Sequence, residues 1–130
     1  MNRLPDLHVM VVEDEALIGL ELESLLRDEG ATVIGPIGSV RAALASFNGG
    51  RALDGALLDI NLGEEKVFPV ADALAEAHVP FVFLTGHSNE MVPSRHRGRP
   101  VIRKPYLPST LLDALCSAMA QRLPADRFLG

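Results

Sequence analysis

Five residues of the chain stand in the same position of a recurring pattern: Glu13, Asp14, Asp59, Thr85 and Lys104 each follow a short apolar run. Val9-Met10-Val11-Val12 leads into Glu13-Asp14, Ala56-Leu57-Leu58 into Asp59, Phe81-Val82-Phe83-Leu84 into Thr85, and Val101-Ile102-Arg103 into Lys104. Three carboxylates gathered in one place repel one another, so they must share protons or bind a cation. An all-oxygen set without histidine or cysteine suits Mg²⁺, which keeps part of its water shell and takes one or two carboxylates together with phosphate oxygens. A carboxylate facing such a cation, with an ammonium and a hydroxyl beside it, can accept a phosphoryl group. The cation would take one equatorial oxygen, Lys104 a second and Thr85 a third, while Asp59 acts as the nucleophile and becomes an acyl phosphate.

For this chemistry the five residues must meet on one edge of a sheet. A short apolar run bounded by turn residues reads as a strand buried on both faces, as in a parallel sheet. Five such strands are expected, at His8–Val12, Thr32–Ile34, Asp54–Asp59, from Phe81, and at Val101–Arg103. Helices alternate with them. Glu15–Glu29 places Ile18, Leu22, Leu25 and Leu26 on one face and is followed by Gly30. Ser39 caps a second helix carrying Val40, Ala43, Leu44 and Phe47, which stops at Asn48-Gly49-Gly50. Asn61–Lys66 reads as a polar loop, and Pro69 opens a third helix with Val70, Ala73, Leu74 and Ala77 toward the core. Pro108 opens the last, with Leu111, Leu112, Leu115 and Met119. Between the fourth and fifth strands, residues 86–100 contain Pro93, Gly98 and Pro100, so a mobile loop with at most a turn or two of helix is expected there. The alternation predicts an α/β fold, and right-handed crossovers bring every strand's C-terminal end to one rim, where ligands of open α/β sheets collect.

The bulk composition is compatible with this. At 130 residues one domain is the default, and 48% hydrophobic with 22% charged residues is ordinary for a globular chain. No apolar run approaches a membrane span, and the N-terminus lacks a signal-peptide stretch. The single cysteine, Cys116, excludes an intrachain disulfide and fits a reducing cytoplasm; it reads as a small buried apolar residue. A net charge of −5 without a basic stripe argues against nucleic-acid binding.

On the stretches Val11-Val12-Glu13-Asp14-Glu15, Leu57-Leu58-Asp59-Ile60-Asn61-Leu62, Phe83-Leu84-Thr85-Gly86 and Arg103-Lys104-Pro105-Tyr106, the chain resembles the receiver domains of two-component response regulators. The resemblance runs from about residue 7 to 123, with 124–130 as a short tail. It implies a flavodoxin-like, three-layer αβα fold with strand order 2-1-3-4-5, from which the chain departs in a fourth helix degraded by Pro93 and Gly98. It further implies that Asp59 accepts a phosphoryl group from the phosphohistidine of a histidine kinase or phosphotransfer protein. Asp14 would ligate Mg²⁺ directly, Glu13 mostly through water, and the Asn61 backbone carbonyl would complete the site. Thr85 and Lys104 would contact the phosphoryl group, and the Lys104-Pro105 bond would be cis. Such a protein is no enzyme beyond its own phosphorylation and dephosphorylation. Residues 62–74 and 79–86 look like stand-alone alphaproteobacterial receivers with a Phe-Ala-Thr-Gly-Tyr-type stretch, which work with sensor kinases of the HWE and related classes. Here Leu84 replaces the alanine and His87 the tyrosine.

The chain departs from the general receiver pattern at Val101, where an aromatic switch residue is usual. With that residue absent, ordering of residues 86–100 on phosphorylation becomes the expected switch. His87 is a candidate modulator of water access to the acyl phosphate. The Arg95-His96-Arg97-Gly98-Arg99 cluster reads as a solvated loop, Tyr106 as packing or partner surface, and the other histidines as no metal site. With no output domain expected after Leu123, output would be by protein–protein contact or by draining phosphate. A phosphate-independent interaction module is the alternative. A hydrolase with a nucleophilic aspartate wants a second acid two residues on, where Asn61 stands.

Overall fold

The computed structural model describes residues 2–48, 52–87 and 90–129. Five strands form one parallel sheet: β1 (His8–Val12), β2 (Thr32–Ile37), β3 (Gly55–Asp59), β6 (Phe81–Thr85) and β7 (Val101–Arg103), in the order β2-β1-β3-β6-β7. Counting only the sheet strands, this is the expected 2-1-3-4-5 order. The helices are α1 (Ala16–Asp28), α2 (Val40–Asn48), α3 (Phe68–Glu76) and α4 (Pro108–Leu129).

Strand side chains alternate between two cores. Val9, Val11, Leu57, Val82 and Leu84 pack with Leu22 and Leu26 of α1 and with Leu111, Leu112, Leu115 and Met119 of α4. Met10, Val12, Ala56, Leu58, Phe81 and Phe83 face Ala43 of α2 and Val70, Ala71 and Leu74 of α3. A sheet covered on both faces leaves no polar position inside its central strands, which is why they read as unbroken apolar runs.

Helix boundaries follow local chemistry. The Ser39 hydroxyl accepts from the Ala42 amide at 3.1 Å, and Gly30 ends α1 with φ 96°. In α3 Val70 and Leu74 are buried as expected, but the third buried residue is Ala71, while Ala73 is only half-buried and Ala77 is exposed. The last helix runs on to Leu129, past the expected end near 123. Residues 61–66 are a small antiparallel hairpin, β4 (Asn61–Leu62) and β5 (Glu65–Lys66), turned at Gly63 with φ 61°, rather than an irregular loop.

β2 is longer than expected because its end is irregular: Gly35-Pro36 is cis, and the β1–β2 register shifts between Met10 and Val12. Gly35 has φ 116°, and a Cβ there would stand 2.5 Å from the Val11 carbonyl oxygen. The expected helix stop at Gly49-Gly50 lies outside the described residues.

Between β6 and β7 the only regular structure among the described residues is a 3₁₀ turn at Ser94–His96. The degraded fourth helix is therefore present as that turn. The basic cluster is solvated at Arg95, Arg97 and Gly98, as expected, but Arg95 and Arg99 are tied down and His96 is buried. Arg95 forms a two-pronged ion pair with Asp72 at 2.7 and 3.1 Å, and Arg99 stacks over the Phe81 ring at 4.4 Å. His96 is 2% exposed, lies 5.8–6.4 Å from the ring centres of Phe68, Phe81 and Phe83, and bonds Asp72 at 2.7 Å through Nε2. Its imidazole covers the sheet face that a full helix would otherwise cover.

Candidate phosphoacceptor and cation site

Parallel pairing sets the rim. Val12 lies beside Leu58, Asp59 beside Leu84, and Thr85 beside Arg103, so the residues just beyond these positions converge. The Lys104 amide donates to the Thr85 carbonyl at 2.7 Å, and the Lys104-Pro105 bond is cis. One oxygen from each of Glu13, Asp14 and Asp59 lies within 4.8 Å of the others. Glu13 and Asp59 are 3% and 4% exposed, while Asp14 is open to solvent. Lys104 Nζ reaches across to both buried acids, 3.2 Å from Glu13 Oε1 and 3.3 Å from Asp59 Oδ2.

One ammonium does not neutralise this cluster. Burial pushes the Glu13 carboxyl up to about 8, with the adjacent Asp59 adding to the effect and Lys104 opposing it. Burial opposes the charge on Lys104, but Asp59 and Glu13 outweigh it and raise its pKa, so the ammonium stays protonated. Glu13 Oε2 is buried without a hydrogen-bond partner. An orphaned buried carboxylate oxygen, two neighbouring carboxylates and an all-oxygen donor set fit a hard divalent cation.

The remaining expected residues are placed as follows. Thr85 is 2% exposed; its Oγ1 accepts from the His87 amide at 3.1 Å and donates to Glu90 Oε1 at 3.4 Å. The His87 ring is exposed. Asn61 is half-buried, with its side-chain amide donating to Glu90 Oε1 at 2.7 Å and its amide oxygen accepting from Lys66 Nζ. Val101 is 42% exposed on the edge strand, opposite Phe83. Tyr106 packs against the α1/α4 core, as does Cys116, which is half-buried. Residues that sequence reasoning passed over are Glu90 and Lys66, joined by a 3.3 Å ion pair, and Asp72. Nothing in their local pattern separates them from surface charges.

No family model matches the chain. Among solved structures it is similar to SdrG from Sphingomonas melonis Fr1, with 42% identity, 91% of this chain and 97% of that chain covered, and a TM-score of 0.72. It is also similar to a response regulator receiver protein from Sinorhizobium medicae, with 26% identity, 92% and 98% covered, and a TM-score of 0.78. A curated relative is the phyllosphere-induced regulator PhyR of Methylorubrum extorquens, 28% identical over 123 residues, covering 92% of this chain and 46% of that protein. The chain spans about half the length of the curated regulators it matches over most of its own length.

Proposed function

Since the chain belongs to the receiver domains of two-component response regulators, we propose that it is a phosphoacceptor switch with Asp59 as the acceptor. An Asp59 oxygen attacks the phosphorus of a phosphohistidine. The new O–P bond forms as the P–N bond breaks, and the electron pair stays on the departing imidazole nitrogen. The transfer needs an aligned oxygen and neutralised charge rather than further covalent work from the protein. The observation that carries the reading is the buried Asp59 carboxylate held 3.3 Å from Lys104 within the acidic cluster. Lys104 neutralises one phosphoryl oxygen, and the Thr85 hydroxyl donates to another. Asp14, Asp59 and the Asn61 carbonyl, with Glu13 behind them, would hold Mg²⁺, which when bound supplies neutralisation of the phosphoryl charge. The donor is a sensor histidine kinase, of the HWE or a related class, or a phosphotransfer protein. Output is by protein contact or by draining phosphate. The name PhyR belongs in one solved structure to a stress response regulator, which makes bacterial signalling the class of role proposed.

The test is intact mass after incubation with acetyl phosphate and Mg²⁺. A single-phosphate adduct on wild type, absent from Asp59→Asn and lost with EDTA, is expected. No adduct with acetyl phosphate or with a phosphohistidine donor would overturn the reading in favour of a phosphate-independent interaction module.

A further inference from the structure

Beside the acidic cluster lies a second group of polar side chains, of which the proposed phosphoryl transfer uses Thr85 alone. Asn61 and Lys66 face each other across the β4–β5 hairpin, Thr85 ends β6, and Glu90 follows β6. Paired residues of an antiparallel hairpin present their side chains on one face. Glu90 Oε1 accepts from Asn61 Nδ2 at 2.7 Å and from Thr85 Oγ1 at 3.4 Å, and Oε2 takes Lys66 Nζ at 3.3 Å. Its side chain is only 9% exposed, although His87 and Met91 on the same segment are open to solvent. Burial works against its charge, but the donors from Asn61, Lys66 and Thr85 more than compensate and hold the carboxyl below its usual range.

A hydroxyl, an amide and an ammonium around one anion form the donor set that a phosphoryl oxygen would also seek. Thr85 has a single O–H to donate, and its oxygen already accepts the His87 amide. It therefore serves Glu90 or a phosphoryl oxygen, never both. A dianionic group brought up to Thr85 also repels the Glu90 carboxylate.

We propose that Glu90 is an internal anion occupying the Thr85 donor site, which phosphorylation of Asp59 displaces. The proposal rests on the phosphoacceptor reading above. Displacement frees Glu90 from Asn61 and Lys66 at the same time, so the segment after β6 shifts while its far end stays anchored by Arg95 and His96 on Asp72. Glu90 is a positioning residue here, acting through Thr85.

The experiment compares wild type, Glu90→Gln, Thr85→Val and the double variant, each checked for unchanged circular dichroism. Two quantities are read: the initial rate of labelling by acetyl phosphate with Mg²⁺, and the apparent affinity for beryllofluoride by fluorine NMR. Glutamine keeps the size but loses the charge-assisted bonds, so both quantities should rise roughly three- to tenfold. The gain should vanish in the Thr85→Val background, because the coupling passes through that hydroxyl. A merely structural role would lower the melting temperature and leave the Thr85 dependence absent. Equal or slower labelling of Glu90→Gln with unchanged beryllofluoride affinity would overturn the proposal while the phosphoacceptor reading stands. Wild type left unlabelled by every donor would overturn both.

Discussion

Replacing Asp59 by asparagine should make the metal-free protein more stable at pH 8. Glu13 titrates near 8 in the folded protein against an ordinary 4.5. The folded state therefore binds a proton more tightly than the unfolded state. The resulting stability is fully present below pH 4.5, is lost as pH rises toward 8, and does not return above it. The whole displacement corresponds to at most about 5 kcal/mol. Burial, its largest cause, survives the substitution, and only the contribution of Asp59 is removed. Of that contribution it is the charge repulsion that the substitution relieves, about 1–2 kcal/mol. Lys104 loses its 3.3 Å contact with Asp59 but keeps Glu13 at 3.2 Å, so the offset is small. For a chain of this length the net gain raises the melting temperature by roughly 3–8 °C. The assay is thermal unfolding in EDTA at pH 5 and pH 8, followed by circular dichroism. At pH 5 the difference should shrink, since Glu13 is then protonated in the folded protein. Magnesium at about ten times its dissociation constant adds about 1.4 kcal/mol to wild type and less to the variant, so the gap closes or inverts. A variant no more stable than wild type in EDTA at pH 8 would refute the idea that these carboxylates repel.

Three further outcomes are expected. His96→Ala empties a space bounded by Phe68, Phe81 and Phe83 and should cost about 2–4 kcal/mol by urea denaturation; a loss below about 0.5 kcal/mol would show that the ring is not part of the core. Gly35→Ala sets a Cβ against the Val11 carbonyl at a positive φ and should cost roughly 2 kcal/mol or more, read as a lower urea midpoint. Val101→Ala, at a position 42% exposed, should change stability by no more than about 0.5 kcal/mol and leave the acetyl phosphate labelling rate unaltered.

The residues proposed to carry the chemistry could be found in the sequence because a parallel sheet covered on both faces must spell its strands as unbroken apolar runs. The first polar residue after each run then marks the rim. That rule identifies Glu13, Asp59, Thr85 and Lys104 without any knowledge of packing. Proline and glycine likewise announced that, among the described residues, only a 3₁₀ turn stands between β6 and β7, and Leu111, Leu112, Leu115 and Met119 of α4 are buried at the expected spacing. Charged and polar side chains carry no such mark. Whether Glu90 points into the rim, His96 into an aromatic cage or Arg95 onto α3 depends on contacts between residues 23–29 positions apart in the chain. The same carboxylate or imidazole serves equally well in water, so local pattern cannot distinguish the two placements. In α3 Val70 and Leu74 face the core as expected, but Ala71 takes the place expected of Ala73 for a related reason: small alanines are interchangeable by composition, and only the docking of the helix on β3 and β6 selects between them. The sequence by itself thus determined the sheet and the rim residues, because burial on two faces leaves polar positions only at strand ends. Tertiary structure alone decided which surface charges turn inward beside that rim.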